Sequence, residues 1–172
     1  MNPGMSKMQE NDSLPPRIFI ILDHLRSAHN TGNIFRIAEA VSAEEVLCCG
    51  YTPCPPHPKL VKTAMGTDLT VKSQAFVSAS DAILSLRKEI PQITIIGVEP
   101  VINAIDAFDF FYTSPIAFVF GNEAIGISPD ALSLCDYIIA LPMLGKKASI
   151  NVGNCVATVL YIANSFLRRK KR

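Results

Sequence analysis

Ile18-Phe19-Ile20-Ile21-Leu22 is a run of five apolar residues with no polar position among them. A strand with one face in water alternates apolar and polar residues, so an unbroken run of this length marks a strand covered on both faces. Working outward, Ile34, Ile37, Ala38 and Val41 recur at helical spacing, and Asn30 ahead of them has the side chain of an N-cap. Glu45 to Cys49 reads as the second strand. The segment Pro53 to Pro58 holds four prolines and reads as loop, because proline removes ladder donors. Further strands are predicted at Gln74 to Val77, Thr94 to Val98, Ile116 to Phe120 and Tyr137 to Leu141. Helices fit Ser80 to Glu89, with Ala82, Ile83 and Leu86 inward, and Asn151 to Leu167. Short apolar strands interleaved with helices predict an α/β fold, a parallel sheet with helices on both faces. The expected organisation is a flexible tail over 1–14, one domain over 15–167 and a basic tail over 168–172.

The composition bounds the function. Of 172 residues, 49% are apolar and 18% charged, which excludes a disordered or fibrous chain. No apolar stretch reaches membrane-spanning length, and Met1 to Pro16 lacks the layout of a secretory signal, so the expected location is the cytoplasm. The net charge of +1 hides an asymmetry: without Arg168, Arg169, Lys170, Lys171 and Arg172 the body holds 11 basic against 15 acidic residues, a charge of −4. Such a tail suits either a helix C-terminus or a nucleic acid. Five cysteines, an odd number, fit a reducing compartment. Cys48, Cys49, Cys54 and His57 crowd together, but two well-spaced ligand pairs are absent and Cys48 and Cys49 fall in an apolar strand, so no metal site is expected.

Ligands of open parallel sheets bind beyond the carboxyl ends of the strands. Three segments at such positions are rich in polar residues and glycine: His29 to Arg36, Phe120 to Gly126, and Leu141 to Asn151. There is no G-x-G-x-x-G after the first strand, and Gly121 to Gly126 lacks the following Lys-Ser/Thr of a phosphate loop. No G-x-S-x-G elbow exists either. Dinucleotide oxidation, nucleotide hydrolysis and serine hydrolysis are thereby demoted. Taken singly, Arg36 can pair with Glu39, Glu123 can bond loop amides, and Ser149 or Asn151 can cap the last helix. Their joint placement at three strand ends points to a ligand site in which glycine lets the backbone come close.

These segments resemble the three signature motifs of the SpoU (TrmH-like) RNA ribose 2′-O-methyltransferases of the SPOUT class. The motif N-x-G-x-x-x-R is matched by Asn30, Gly32 and Arg36, and G-x-E-x-x-G by Gly121, Glu123 and Gly126. The third, P-M-x-G-x-x-x-S-[LM]-N-V, is matched by Pro142, Met143, Gly145, Ser149, Asn151 and Val152, with Ile150 as a mild substitution. The resemblance spans about Arg17 to Leu167. It implies an α/β knot, a trefoil-knotted parallel sheet through which the last helix threads. It implies S-adenosylmethionine as cofactor, walled by Val98, Glu99, Gly121, Ile139, Leu141, Met143 and Ile150. It also implies transfer of a methyl group to a ribose 2′-OH of RNA, with transfer RNA ahead of ribosomal RNA. Arg36, Asn30, Glu123, Ser149 and Asn151 would carry the chemistry.

In this family the motif-one arginine activates the 2′-OH. For Arg36 that means acting as base directly or gripping a phosphate whose oxygen takes the proton, because a guanidinium is rarely neutral. A homodimer packed through the final helix is implied; the apolar face Val152, Val156, Val159, Leu160 and Ala163 agrees with it, and a core-facing helix has the same pattern. RNA contacts are expected at Lys59, Lys62, Lys72, Lys146, Lys147 and the basic tail. The alternatives are a non-catalytic RNA-binding protein on the same fold and a base-methylating SPOUT enzyme.

Overall fold

Successive residues of β1 (Ile18–Asp23) turn to opposite faces of a sheet, and both faces are covered. Ile18, Ile20 and Leu22 enter one apolar cluster and Phe19 and Ile21 the other, so the unbroken apolar run is a direct consequence of burial on two sides. The computed structural model describes residues 15–169. The tail expected over 1–14 and the last three basic residues lie outside the described residues.

After β1 come α1 (Ala28–Ala40), β2 (Glu45–Cys49), α2 (Pro58–Ala64), a 3₁₀ turn (Thr67–Leu69), β3 (Ser73–Phe76) and α3 (Ala79–Glu89). The chain continues through β4 (Thr94–Val98), β5 (Ile105–Asp106), β6 (Ile116–Phe120), α4 (Pro129–Ser133), β7 (Tyr137–Ala140) and α5 (Val152–Arg169). The sheet order is β3-β2-β1-β6-β4-β7-β5, and every pairing is parallel. In the centre, Ile20 stands opposite Val46 of β2 and Phe118 of β6. Helices α1, α2 and α5 cover the first cluster, and α3 and α4 the second.

Four expectations are corrected. First, α1 begins earlier than its apolar pattern suggests: the N-cap is Ser27, whose Oγ accepts from the Asn30 amide at 3.1 Å. Asn30 lies in the first turn, its side chain free for other partners. Second, Pro58 opens α2 rather than closing a loop, because the first helical position needs no N–H donor. Third, α5 continues through Arg168 and Arg169, so two of the five terminal cations sit in its last turn, where they suit the dipole. Fourth, Val152, Val156, Val159, Leu160 and Ala163 are buried against the chain's own core, so the apolar face of α5 is not a free dimer surface. Cys48 and Cys49 are both buried in β2 and belong to opposite clusters.

Gly32 sets the approach of α2 to α1. A Cβ there would stand 2.7 Å from the Leu60 carbonyl oxygen and 2.8 Å from the Thr63 Cβ. Both are parts of a packed helix with little room to yield. In Gly32→Ala, the gain in helix propensity is about 1 kcal/mol, whereas overpacking costs about 1–3 kcal/mol. The variant is expected to unfold at lower urea concentration than the wild type, and a midpoint at or above the wild-type value contradicts this packing account.

Candidate functional site

The carboxyl ends of β4, β6 and β7 meet at one edge of the sheet, and a cleft of ≈ 650 Å³ opens beyond them. Val98 of β4 and Glu99 directly after it, Gly121 and Glu123 after β6, and Ser149 to Asn151 before α5 line it. A contiguous hollow extends it to Leu141 and Met143 after β7. Six of the seven predicted cofactor walls therefore line one continuous space. Ile139 does not. It is fully buried in β7 beside Val98, with its carbonyl accepting from the Glu99 amide at 3.0 Å, so it supports the cleft from below.

The loop after β6 is closed on itself. Asn122 N donates to Gly126 O at 3.0 Å, and Gly126 N returns a bond to Asn122 O at 2.9 Å. Gly126 takes φ +74°, a conformation that side-chain-bearing residues disfavour. A Cβ at Gly121 would run into the Gly126–Ile127 backbone, which explains both glycines of this segment. Glu99, directly after β4, braces the loop, its Oε2 accepting from the Ile127 amide at 3.1 Å. The strongest anchor is Asn122, which sequence reasoning missed. It is buried, its Nδ2 donates to His24 O at 2.7 Å and Tyr51 Oη at 2.9 Å, and its Oδ1 accepts from the amides of Ala124 and Ile125. The available signal was an amide side chain directly following the strand–glycine junction.

Asn30 ties the three polar segments together. Its Nδ2 donates to Glu123 Oε1 at 3.0 Å, and its Oδ1 accepts from Asn151 Nδ2 at 3.3 Å. The other end of Asn151 caps α5, with Oδ1 accepting from Gly153 N at 2.9 Å and Asn154 N at 3.4 Å. Residues 93 and 121 positions from Asn30 in sequence are thus held on one side chain. Ser149 is exposed on the cleft wall beside them.

Arg36 is placed elsewhere. Six residues along a helix turn the side-chain direction by about 120° net, so Asn30 and Arg36 leave α1 in different directions. Arg36 is exposed in a separate hollow with Asn33, Met65, Thr67 and Tyr161, and it makes no ion pair among the described residues.

The donor set of the cleft suits a cationic, partly apolar ligand. Val98, Leu141, Met143 and Ile150 supply apolar wall, while among the described residues Glu99 and Glu123 are the charged groups and no lysine or arginine lines the space. A sulfonium with an attached nucleoside has these requirements, so the residues present fit S-adenosylmethionine. Cys155 also lines the cleft, and burial, with a smaller contribution from Glu99, pushes its thiol up to about 11. At neutral pH it is a thiol and not a nucleophilic thiolate. Among the described residues no group of three or more His, Cys, Asp or Glu is placed to hold a metal ion, and no helix is long and apolar enough to cross a membrane.

Comparison with known proteins agrees with this geometry. The chain is 29% identical over 158 residues to the 23S rRNA (uridine(2479)-2′-O)-methyltransferase of Streptomyces viridochromogenes, covering 88% of this chain and 55% of that protein. It is 30% identical over 148 residues to the tRNA (guanosine(18)-2′-O)-methyltransferase of Escherichia coli (strain K12), covering 86% of this chain and 63% of that one. The chain thus spans less than two thirds of either relative's length. Among solved structures, the SpoU methyltransferase AviRb from Streptomyces viridochromogenes in complex with the cofactor AdoMet superposes with a TM-score of 0.80 at 27% identity, over 94% of this chain and 64% of that one. A family model described as the SpoU rRNA Methylase family matches residues 17–161, a span that holds all three polar segments joined through Asn30, and the chain belongs to that family.

Proposed function

We propose that this protein is an S-adenosylmethionine-dependent methyltransferase that modifies a ribose 2′-OH of transfer or ribosomal RNA, acting as a cytoplasmic homodimer on a trefoil-knotted domain. The observation that carries the reading is the Asn30 bridge, which fixes Glu123 and Asn151 at the mouth of an acidic, partly apolar cleft. The similarity to two RNA 2′-O-methyltransferases and to an AdoMet-bound structure supports it.

When bound in the cleft, S-adenosylmethionine supplies a methyl group on a positively charged sulfur, which suits an alcohol oxygen as acceptor. Glu99 and Glu123 favour positive charge in that space, and Val98, Leu141, Met143 and Ile150 give it an apolar wall. Asn30 has both ends of its amide engaged and so presents a fixed edge to the incoming ribose. Ser149, exposed beside it, offers a hydroxyl to the 2′-OH side. The 2′-OH proton must leave, and Arg36 is the family residue for this. A guanidinium holds its proton far above neutral pH, so Arg36 acts best by gripping a phosphate whose oxygen receives the proton. Arg36 of one chain is turned away from that chain's cleft, which supports a pairing in which each Arg36 serves the cleft of a second copy. The half-exposed Tyr161 of α5 beside Arg36 gives that hollow an aromatic wall for such a pairing.

Two outcomes check this reading. Arg36→Ala is expected to lower turnover of methyl transfer into RNA by about 10²- to 10⁴-fold, with cofactor affinity in equilibrium dialysis unchanged. Arg36→Lys should restore part of the rate if a phosphate is the proton acceptor, and Arg36→Ala with undiminished turnover contradicts the assignment. The pairing is tested by complementation: Ala148→Trp fills the cleft and Arg36→Ala removes the cation. Each variant alone is expected to be inactive, while a mixture allowed to exchange subunits regains activity through the mixed dimer's one intact pair. A mixture as inactive as its components contradicts a site shared between copies.

A further inference from the structure

Beside the first turn of α1 lies another hollow, of ≈ 580 Å³, lined by Ala28 and His29 of that turn. Arg26, Lys59 and Lys62 line it together with His29 and His57, and among the described residues no acidic one does. All three cations are exposed, and none makes an ion pair among the described residues. Lys59 and Lys62 stand three apart on α2, on the same face, in a helix without any acidic residue. Like charges at this spacing repel, so α2 carries a local electrostatic cost that an anion in the hollow would remove. The accumulation is also at odds with the chain as a whole, whose body without the five terminal cations carries −4.

The hollow is coupled to the cleft by one residue. His29 lines the hollow, and the next residue, Asn30, holds Glu123 and Asn151 at the cleft mouth. The close approach of α2 to α1 at Gly32 keeps Lys59 and Lys62 beside that turn. The other lysines differ: Lys72 is bound to Glu45 at 3.1 Å, and its pKa is raised first by that hydrogen bond. Lys146 and Lys147 lie in the 141–151 segment, outside the lining of this hollow.

We infer that Arg26, Lys59 and Lys62 form a phosphate-binding saddle that holds the RNA backbone flanking the target nucleotide and so positions its ribose at Asn30. The inference rests on the RNA-methyltransferase reading and adds to it a substrate-positioning surface on α1 and α2. Phosphate contacts of this kind fix register without reading sequence, and their signature is the dependence of binding on salt.

The test uses the full chain and the triple variant Arg26→Gln/Lys59→Gln/Lys62→Gln. Labelled total RNA from cells lacking the protein serves as probe, at salt from about 50 to 200 mM. The variant is expected to bind this RNA at least about tenfold more weakly at the low-salt end, with the log–log salt slope shallower by about 2 to 3. In methyl transfer its KM for RNA should rise while kcat and cofactor affinity hold. The charge-keeping Lys59→Arg/Lys62→Arg variant should retain the wild-type slope, as should Lys88→Gln on the opposite side of the sheet. A triple variant with wild-type slope and KM, alongside a wild-type enzyme that methylates RNA, overturns the saddle and leaves the reaction standing. Loss of cofactor affinity together with RNA affinity also overturns it, since that marks a structural defect. A wild-type chain that neither binds nor methylates RNA removes the reaction itself.

Discussion

Every strand pairing in this sheet is parallel, and that constraint organises everything else. Parallel strands send all their carboxyl ends to one edge, so the segments after β1, β4, β6 and β7 emerge together although long stretches of sequence separate them. Parallel pairing also requires crossovers, and those crossovers cover both faces with helices. Covered on both faces, the central strands β1, β2 and β6 are buried along their whole length. The core and the site therefore have one origin: the apolar runs stabilise the sheet, and the sheet's polarity collects the polar loops.

What the loops then build is held mainly by amides. Asn122 clamps the loop after β6, Asn151 caps α5, and Asn30 joins α1 to both neighbouring segments. Side-chain amides suit this work because each offers donors and acceptors without charge. The two carboxylates are thereby left to set the polarity of the cleft, although Glu99 also receives a loop amide. Backbone is brought close to backbone at Gly121, which narrows the loop against its own end. The result is an acidic and partly apolar cleft, with Arg36 of α1 and Lys59 and Lys62 of α2 kept outside it in two separate hollows. Separation of charge of this kind suits a reaction between a cationic donor and a polyanionic acceptor.

Much of this was legible in the sequence, for identifiable reasons. The runs Ile18 to Leu22, Glu45 to Cys49, Thr94 to Val98 and Ile116 to Phe120 are all strands, because burial on two faces leaves consecutive apolar residues, with Glu45 and Thr94 as polar starts. The three polar segments were found through their place after strands, and three of the five chosen side chains are hydrogen-bonded to one another. Other features had weaker traces. The apolar stripe of α5 has the same pattern whether it faces its own core or a partner, and here it faces the core. Helix α2 has only Leu60 and Ala64 buried, too few for a periodic signal behind a proline-rich stretch. Asn30 has the residue type of an N-cap, while Ser27 does the capping, its Oγ accepting from the Asn30 amide. The separation of Arg36 from the cleft depends on helix phase, which a motif written as letters does not display.

The central claim is that the acceptor atom is a ribose oxygen presented at Asn30. Its most direct test is to incubate the purified full chain with methyl-labelled S-adenosylmethionine and RNA from cells lacking the protein, digest the RNA to nucleosides, and identify the labelled species by mass spectrometry. The account predicts that the label resides in the sugar of a 2′-O-methylated nucleoside. Label carried on a base, or a chain that binds the cofactor and leaves RNA unlabelled, would contradict it.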